Sequence, residues 1–154
     1  VADSTASTGL KWATPASGGF SYTSYTPTYT NFTLGNGTVS TSYATSGDFV
    51  HFVGTIFWGS TTSASGNIKI SLPFAAANVV GGFGTAVPTT GSILVDDSAN
   101  VFYKVIAYIN PSTDLSFVTE TGDPNRWGSS VTNTVPTTWT TTDRFMFDIV
   151  YRKA

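Results

Sequence analysis

Large apolar and polar side chains alternate along this chain, most clearly near its end. Phe145, Phe147, Ile149 and Tyr151 share one face, and Arg144, Met146, Asp148, Val150 and Arg152 share the other. That period of two is the pattern of a strand with one buried side. Residues 67–72 repeat it: Ile68, Ile70 and Leu72 point one way, and Pro73 ends the run because it has no N–H to give to a ladder. Shorter runs predict strands over 25–34, 38–44, 49–58, 91–96, 101–109 and 115–119. Turn chemistry separates them. Gly35-Asn36-Gly37 tolerates positive φ, and Ser46-Gly47-Asp48, Asp97-Ser98-Ala99-Asn100 and Asn110-Pro111-Ser112-Thr113-Asp114 are turn sequences as well.

The run over 49–58 has bulky residues at successive positions, which predicts a central strand buried on both sides. Residues 74–88, with Ala75-Ala76-Ala77 and Gly81-Gly82-Phe83-Gly84, read as a crossing connection. Residues 1–21 are rich in Ser, Thr, Ala and Gly and show no period. They read as a connector to an upstream partner, with Leu10 and Trp12 able to dock it, and residues 22–154 read as one domain. About eight or nine short strands without a helical insert predict an all-β fold, an antiparallel β-sandwich of jelly-roll type.

Composition agrees with that pattern. Charged residues make up only 10% of the 154, against 40% hydrophobic and 14% aromatic, and the scarcity of Glu, Gln and Lys disfavours helices. The net charge of −2 and the lack of a Lys/Arg cluster remove the footprint that nucleic-acid binding needs. With no Cys, neither a disulfide framework nor a thiolate metal site is available. No run reaches the roughly 18 apolar residues of a membrane helix, and the first residues lack the regions of a signal peptide, so a soluble chain without membrane insertion is expected. The sequons Asn31-Phe32-Thr33 and Asn36-Gly37-Thr38 are expected to be chance matches in a Thr-rich chain.

The chemistry-bearing residues are few. The single histidine, His51, sits inside a strand pattern, where a structural role is the expected one, and no Gly-x-Ser-x-Gly elbow occurs. Most acidic residues, Asp48, Asp96, Asp97, Asp114, Asp123 and Asp143, fall at turns, which leaves Glu120 with Asp123 as the one pair to weigh for sugar cleavage. Asp96-Asp97-Ser98-Ala99-Asn100 lacks the spacing of a calcium loop, and Gly81-Gly82-Phe83-Gly84 does not open a helix as a phosphate loop does. The expectation is a chain without catalytic residues, metal or cofactor. Residues 121–130 differ: Asp123, Asn125, Arg126 and Trp127 combine a flat ring with hydrogen-bonding groups, the equipment for holding a saccharide. The competing expectation is that Trp127 folds back and caps the end of the sheets.

Three motifs carry a resemblance. They are Tyr25-Thr26-Pro27-Thr28-Tyr29-Thr30-Asn31-Phe32-Thr33-Leu34-Gly35-Asn36-Gly37-Thr38, the Ile-x-Leu-Pro element ending at Pro73, and Pro136-x-x-Trp139 with Asp143 before the strand ending at Tyr151. Spanning residues 22–153, they resemble the C-terminal receptor-binding head domain of bacteriophage tail-fibre or minor tail proteins, particularly of phages infecting actinobacteria. The departure is Phe147-Asp148-Ile149-Val150, where small residues are expected before Tyr151. The resemblance implies a non-enzymatic jelly-roll module, commonly a homotrimer at the tip of a fibre in the virion. Such a module follows a fibre shaft and recognises a bacterial surface receptor, often a cell-surface glycan. Two alternatives stand beside it: a virion-decoration domain with no host ligand, and an envelope polysaccharide depolymerase using Glu120 and Asp123.

Overall fold

The computed structural model describes residues 21–77, 87–88, 90–97, 101–110, 112–120 and 127–154. Their regular elements are strands: β1 (Thr23–Ser24), β2 (Tyr29–Thr33), β3 (Thr38–Ser46), β4 (Phe49–Phe57), β5 (Ser63–Ser71), β6 (Val87–Pro88), β7 (Thr90–Asp97), β8 (Val101–Ile109), β9 (Asp114–Glu120), β10 (Trp127–Ser130) and β11 (Arg144–Arg152). Every pairing is antiparallel. Among the described residues no helix is long and apolar enough to cross a membrane.

Two sheets result, joined by β8. One runs β1-β3-β4-β11-β7-β8 and the other β8-β9-β5-β2, with β10 on β9 and β6 on β8. Val101 to Lys104 pair with β7, and Val105 to Ile109 pair with β9, so β8 turns the corner at a single peptide. The order β11-β7-β8-β9 is a Greek-key winding. Strand β5 lies beside β2 and β3 beside β4, while β2 and β3 lie in different sheets joined by a turn.

The alternation read from the last strand holds in full. Phe145, Phe147, Ile149 and Tyr151 are buried, and the intervening side chains are not. They meet the other sheet through pairs such as Phe117 and Phe145, whose ring centroids lie 4.5 Å apart at 76°, a geometry that adds about 0.5–1.5 kcal/mol beyond area burial. Ile68, Ile70 and Leu72 are buried as their pattern predicts.

Four expectations need correction. Strand β4 is central, between β3 and β11, but it is not buried on both sides: Phe49 is 58% and Phe57 40% exposed, because its outer face has no covering layer among the described residues. Strand β9 has that property instead, with Leu115, Ser116, Phe117 and Val118 all buried. Residues 25–28 lie outside β2, and β5 begins at Ser63, earlier than its apolar period shows, because the Ser63 and Ala64 end is set by pairing with Thr33 and Phe32. Trp127–Ser130 is a strand, paired with β9.

Strands β5 and β9 pair only over Lys69–Ser71. Beyond that they part, and Val131 enters between them: its carbonyl accepts from the Ile68 N–H at 3.1 Å, and its own N–H donates to the Phe117 carbonyl at 3.1 Å. Of the crossing connection, residues 74–77 run past the end of β11, where the Ala77 N–H donates to the Arg152 carbonyl, and β6 pairs with Tyr108 and Ile109 of β8. Leu10 and Trp12 lie outside the described residues.

The turns sort to two ends. Leu34 to Gly37, Trp58 to Thr62 and Trp139 to Asp143 share one end, which we call the rim, because Thr38 and Arg144 are both register partners of Phe57 there. At the other end sit the turn after Ser46, the segment at 72–77 and the last residue, whose N–H donates to the Ala75 carbonyl.

Candidate functional site

The rim is built on two indoles. Trp58 follows β4 and Trp139 precedes β11, and their rings stack 4.2 Å apart at 10°. Both are buried, and Trp139 donates its ring N–H to the Thr132 carbonyl at 2.6 Å. The Val135–Pro136 peptide that precedes this turn is cis. Asp143 then closes the turn with no exposed surface: its carboxylate accepts from the Thr140 N–H at 2.6 Å and the Thr140 hydroxyl at 3.1 Å. Its own carbonyl accepts from the Trp58 N–H at 2.9 Å, and Trp58 in return accepts from the Thr142 N–H at 3.0 Å. Thr142 holds φ at +83°, a conformation a β-branched residue adopts only where the surroundings impose it.

The two other turns are locked together by Asn36. Its amide oxygen accepts from the N–H and the hydroxyl of Thr61, both at 2.9 Å, and its amide N–H donates to the Ser60 hydroxyl at 3.0 Å. The Thr62 hydroxyl completes the lock by donating to the Leu34 carbonyl. Glycine is needed at 59, where a Cβ would stand 2.3 Å from the Asn36 amide oxygen. The Asn of each sequon is thus used internally, Asn36 here and Asn31 through an N–H to the Asn67 carbonyl.

Between these turns lies an open depression of about 410 Å3 lined by Asn36, Phe57, Trp58, Ser60, Thr141 and Thr142, among others. Phe57 exposes its ring, and the Arg144 guanidinium sits 5.8 Å from the ring centroid. An apolar ring and several hydroxyls around a shallow hollow can hold a polyhydroxylated ligand by C–H contact and hydrogen bonds. Among the described residues no three His, Cys, Asp or Glu side chains gather as metal ligands would.

Asp123, Asn125 and Arg126 lie outside the described residues, and so does the Asp123 half of the Glu120 pairing. Of Trp127 the structure describes the backbone, which opens β10 opposite Glu120. Asp96 and Asp97 end β7, and Ser98 to Asn100 lie outside the description. His51 is on the outer face of β4, six residues from Phe57 and hence roughly 20 Å along the strand. Phe57, Asn36 and Thr142 were missed by composition alone. The signal for Phe57 was present, since strict alternation sets it on the same outward face as Phe49 and His51.

Comparison with protein-family models, with curated proteins and with solved structures finds no match to this chain.

Proposed function

We propose that this chain is a non-enzymatic host-recognition module of a phage tail fibre or minor tail protein, which binds carbohydrate of a bacterial surface at its rim. The observation that carries the reading is the hollow beside Phe57, set on the stacked Trp58 and Trp139 and fixed by the Asn36 and Asp143 networks. A rigid hollow favours a weakly held, flexible ligand because little ordering entropy remains to be lost on the protein side. The resemblance of the three motifs supplies the setting of the virion tail tip downstream of a fibre shaft.

The Greek-key winding of β7, β8, β9 and β11 supports the finer architecture, a β-sandwich of jelly-roll type. Strand β9 runs antiparallel to β5, so its Glu120 end heads toward the Ser63 side where the rim lies. That direction supports counting Asp123, Asn125, Arg126 and Trp127 with the binding surface. Assembly as a homotrimer is supported by the large apolar side chains that β8 leaves exposed, Val101, Phe102 and Ile106. Those same side chains favour the second reading, a virion-decoration domain that meets only other virion proteins.

Glycan-array and whole-cell binding of the purified domain test the proposal. Phe57→Ala is expected to weaken binding by about tenfold or more, the loss of roughly 1.4 kcal/mol. Trp127→Ala is expected to act in the same direction. Unchanged binding in both variants, or tight binding to virion proteins alone, would overturn the rim reading. Light scattering at micromolar concentration checks the trimer, for which a monomer is the contrary result.

A further inference from the structure

We infer that the outer face of β3, β4 and β11 carries a second ligand site, apart from the rim, that takes the vicinal hydroxyls of a neutral sugar residue on the carboxylate of Asp148. A groove of about 430 Å3 runs there, lined by Ser40, Ser42, Val53, Thr55, Met146 and Asp148. Register puts them together: Ser42, Val53 and Asp148 form one outward row across the three strands, and Ser40, Thr55 and Met146 form the next. Val53 and Met146 are half-buried and supply an apolar floor. The hydroxyls of Ser40, Ser42 and Thr55 bond to no other described residue.

Asp148 differs from an ordinary exposed aspartate because one of its oxygens is held. Tyr22 Oη lies 2.6 Å from His51 Nδ1, and His51 Nε2 lies 2.6 Å from Asp148 Oδ1. A carboxylate oxygen can only accept, so the His51 Nε2–H donates to Oδ1, and the Tyr22 hydroxyl holds the other ring nitrogen. The rings of Tyr22 and His51 meet edge to face at 5.6 Å, which fixes the imidazole further. Oδ2 is left as an oriented acceptor on a side chain that is 62% exposed, at the border of the groove. His51 and Tyr22 are therefore positioning residues for that oxygen.

The chemistry selects the ligand class. A carboxylate accepts from neighbouring hydroxyls of a sugar, Ser and Thr hydroxyls both donate and accept, and the apolar floor faces ring C–H groups. An ammonium ligand would use the carboxylate and leave the floor and the donors idle. An anion would be repelled by Asp148.

The test is an NMR titration of the 15N-labelled full chain with methyl α-D-glucopyranoside and methyl β-D-galactopyranoside, and with ethanolamine as the ammonium control. At least one glycoside is expected to shift the Ser42, Val53 and Asp148 amides progressively, with affinity about tenfold lower in Asp148→Asn. His51→Phe is expected to weaken binding several-fold, and His51→Gln, which keeps an N–H for Oδ1, to restore most of it, with melting curves showing each variant folded. No shift at these amides from either glycoside overturns the site. So do shifts from ethanolamine alone, and glycoside affinity unchanged in Asp148→Asn. The two sites separate cleanly: groove shifts survive Phe57→Ala, and rim binding to cells survives Asp148→Asn.

Discussion

Asp143 is a carboxylate with no exposed surface whose partners include the Thr140 N–H and hydroxyl. Removing it leaves the part-buried Thr140 N–H without this acceptor, a loss of about 1–3 kcal/mol, and hydrogen bonds to a charged group lie at the upper end of that range. Asp143→Ala is therefore expected to lower stability by about 2–3 kcal/mol in urea unfolding, and Asp143→Asn, which keeps one acceptor, by less. Tyr29 is the opposite case. Its hydroxyl is buried with no partner among the described residues, so Tyr29→Phe is expected to leave stability unchanged or raise it by about 1 kcal/mol in the same measurement.

The rim depends on how closely its elements approach. A Cβ on Gly59 would meet the Asn36 amide oxygen and stand 2.6 Å from the Gly37 nitrogen, so the turn after β2 and the turn after β4 would have to part. Gly59→Ala is expected to cost about 1–3 kcal/mol by thermal melting, as overpacking does, and to weaken rim binding with it. Strand β11 was legible in full from the sequence because one face is core and the other solvent, so alternation states the register. Strand β10 and Val131 were not, because residues 127–131 carry no period, and the place of Val131 is decided by Phe117 on one side and on the other by Ile68, far away in sequence. Residues 121–130 stand out by their residue types, whereas the hollow beside Phe57 forms only where three separate turns converge.

Across the whole molecule, two buried phenols tie stability to alkaline pH. Burial pushes the Tyr29 phenol up, and pushes Tyr151 far above the usual tyrosine range. The Tyr151 hydroxyl donates to the Phe74 carbonyl at 3.0 Å and so fastens the 72–77 segment to β11. A raised folded-state pKa means that the native state holds its proton more tightly than the unfolded chain. The contribution is complete below pH of about 10 and is lost as pH rises above it. Melting temperature is expected to fall between about pH 9 and 12, and less steeply in Tyr151→Phe.

Lys153 donates its N–H to the Asp48 carbonyl and the last residue donates to Ala75, both at the end of the sheets remote from the stacked indoles. A biotin tethered beyond Ala154 would therefore leave the Phe57 hollow pointing into the liquid on a sensor chip. Coupling through a cysteine introduced at Ser60 would turn the same hollow against the solid support, so the two orientations give a built-in contrast for any immobilised-protein assay.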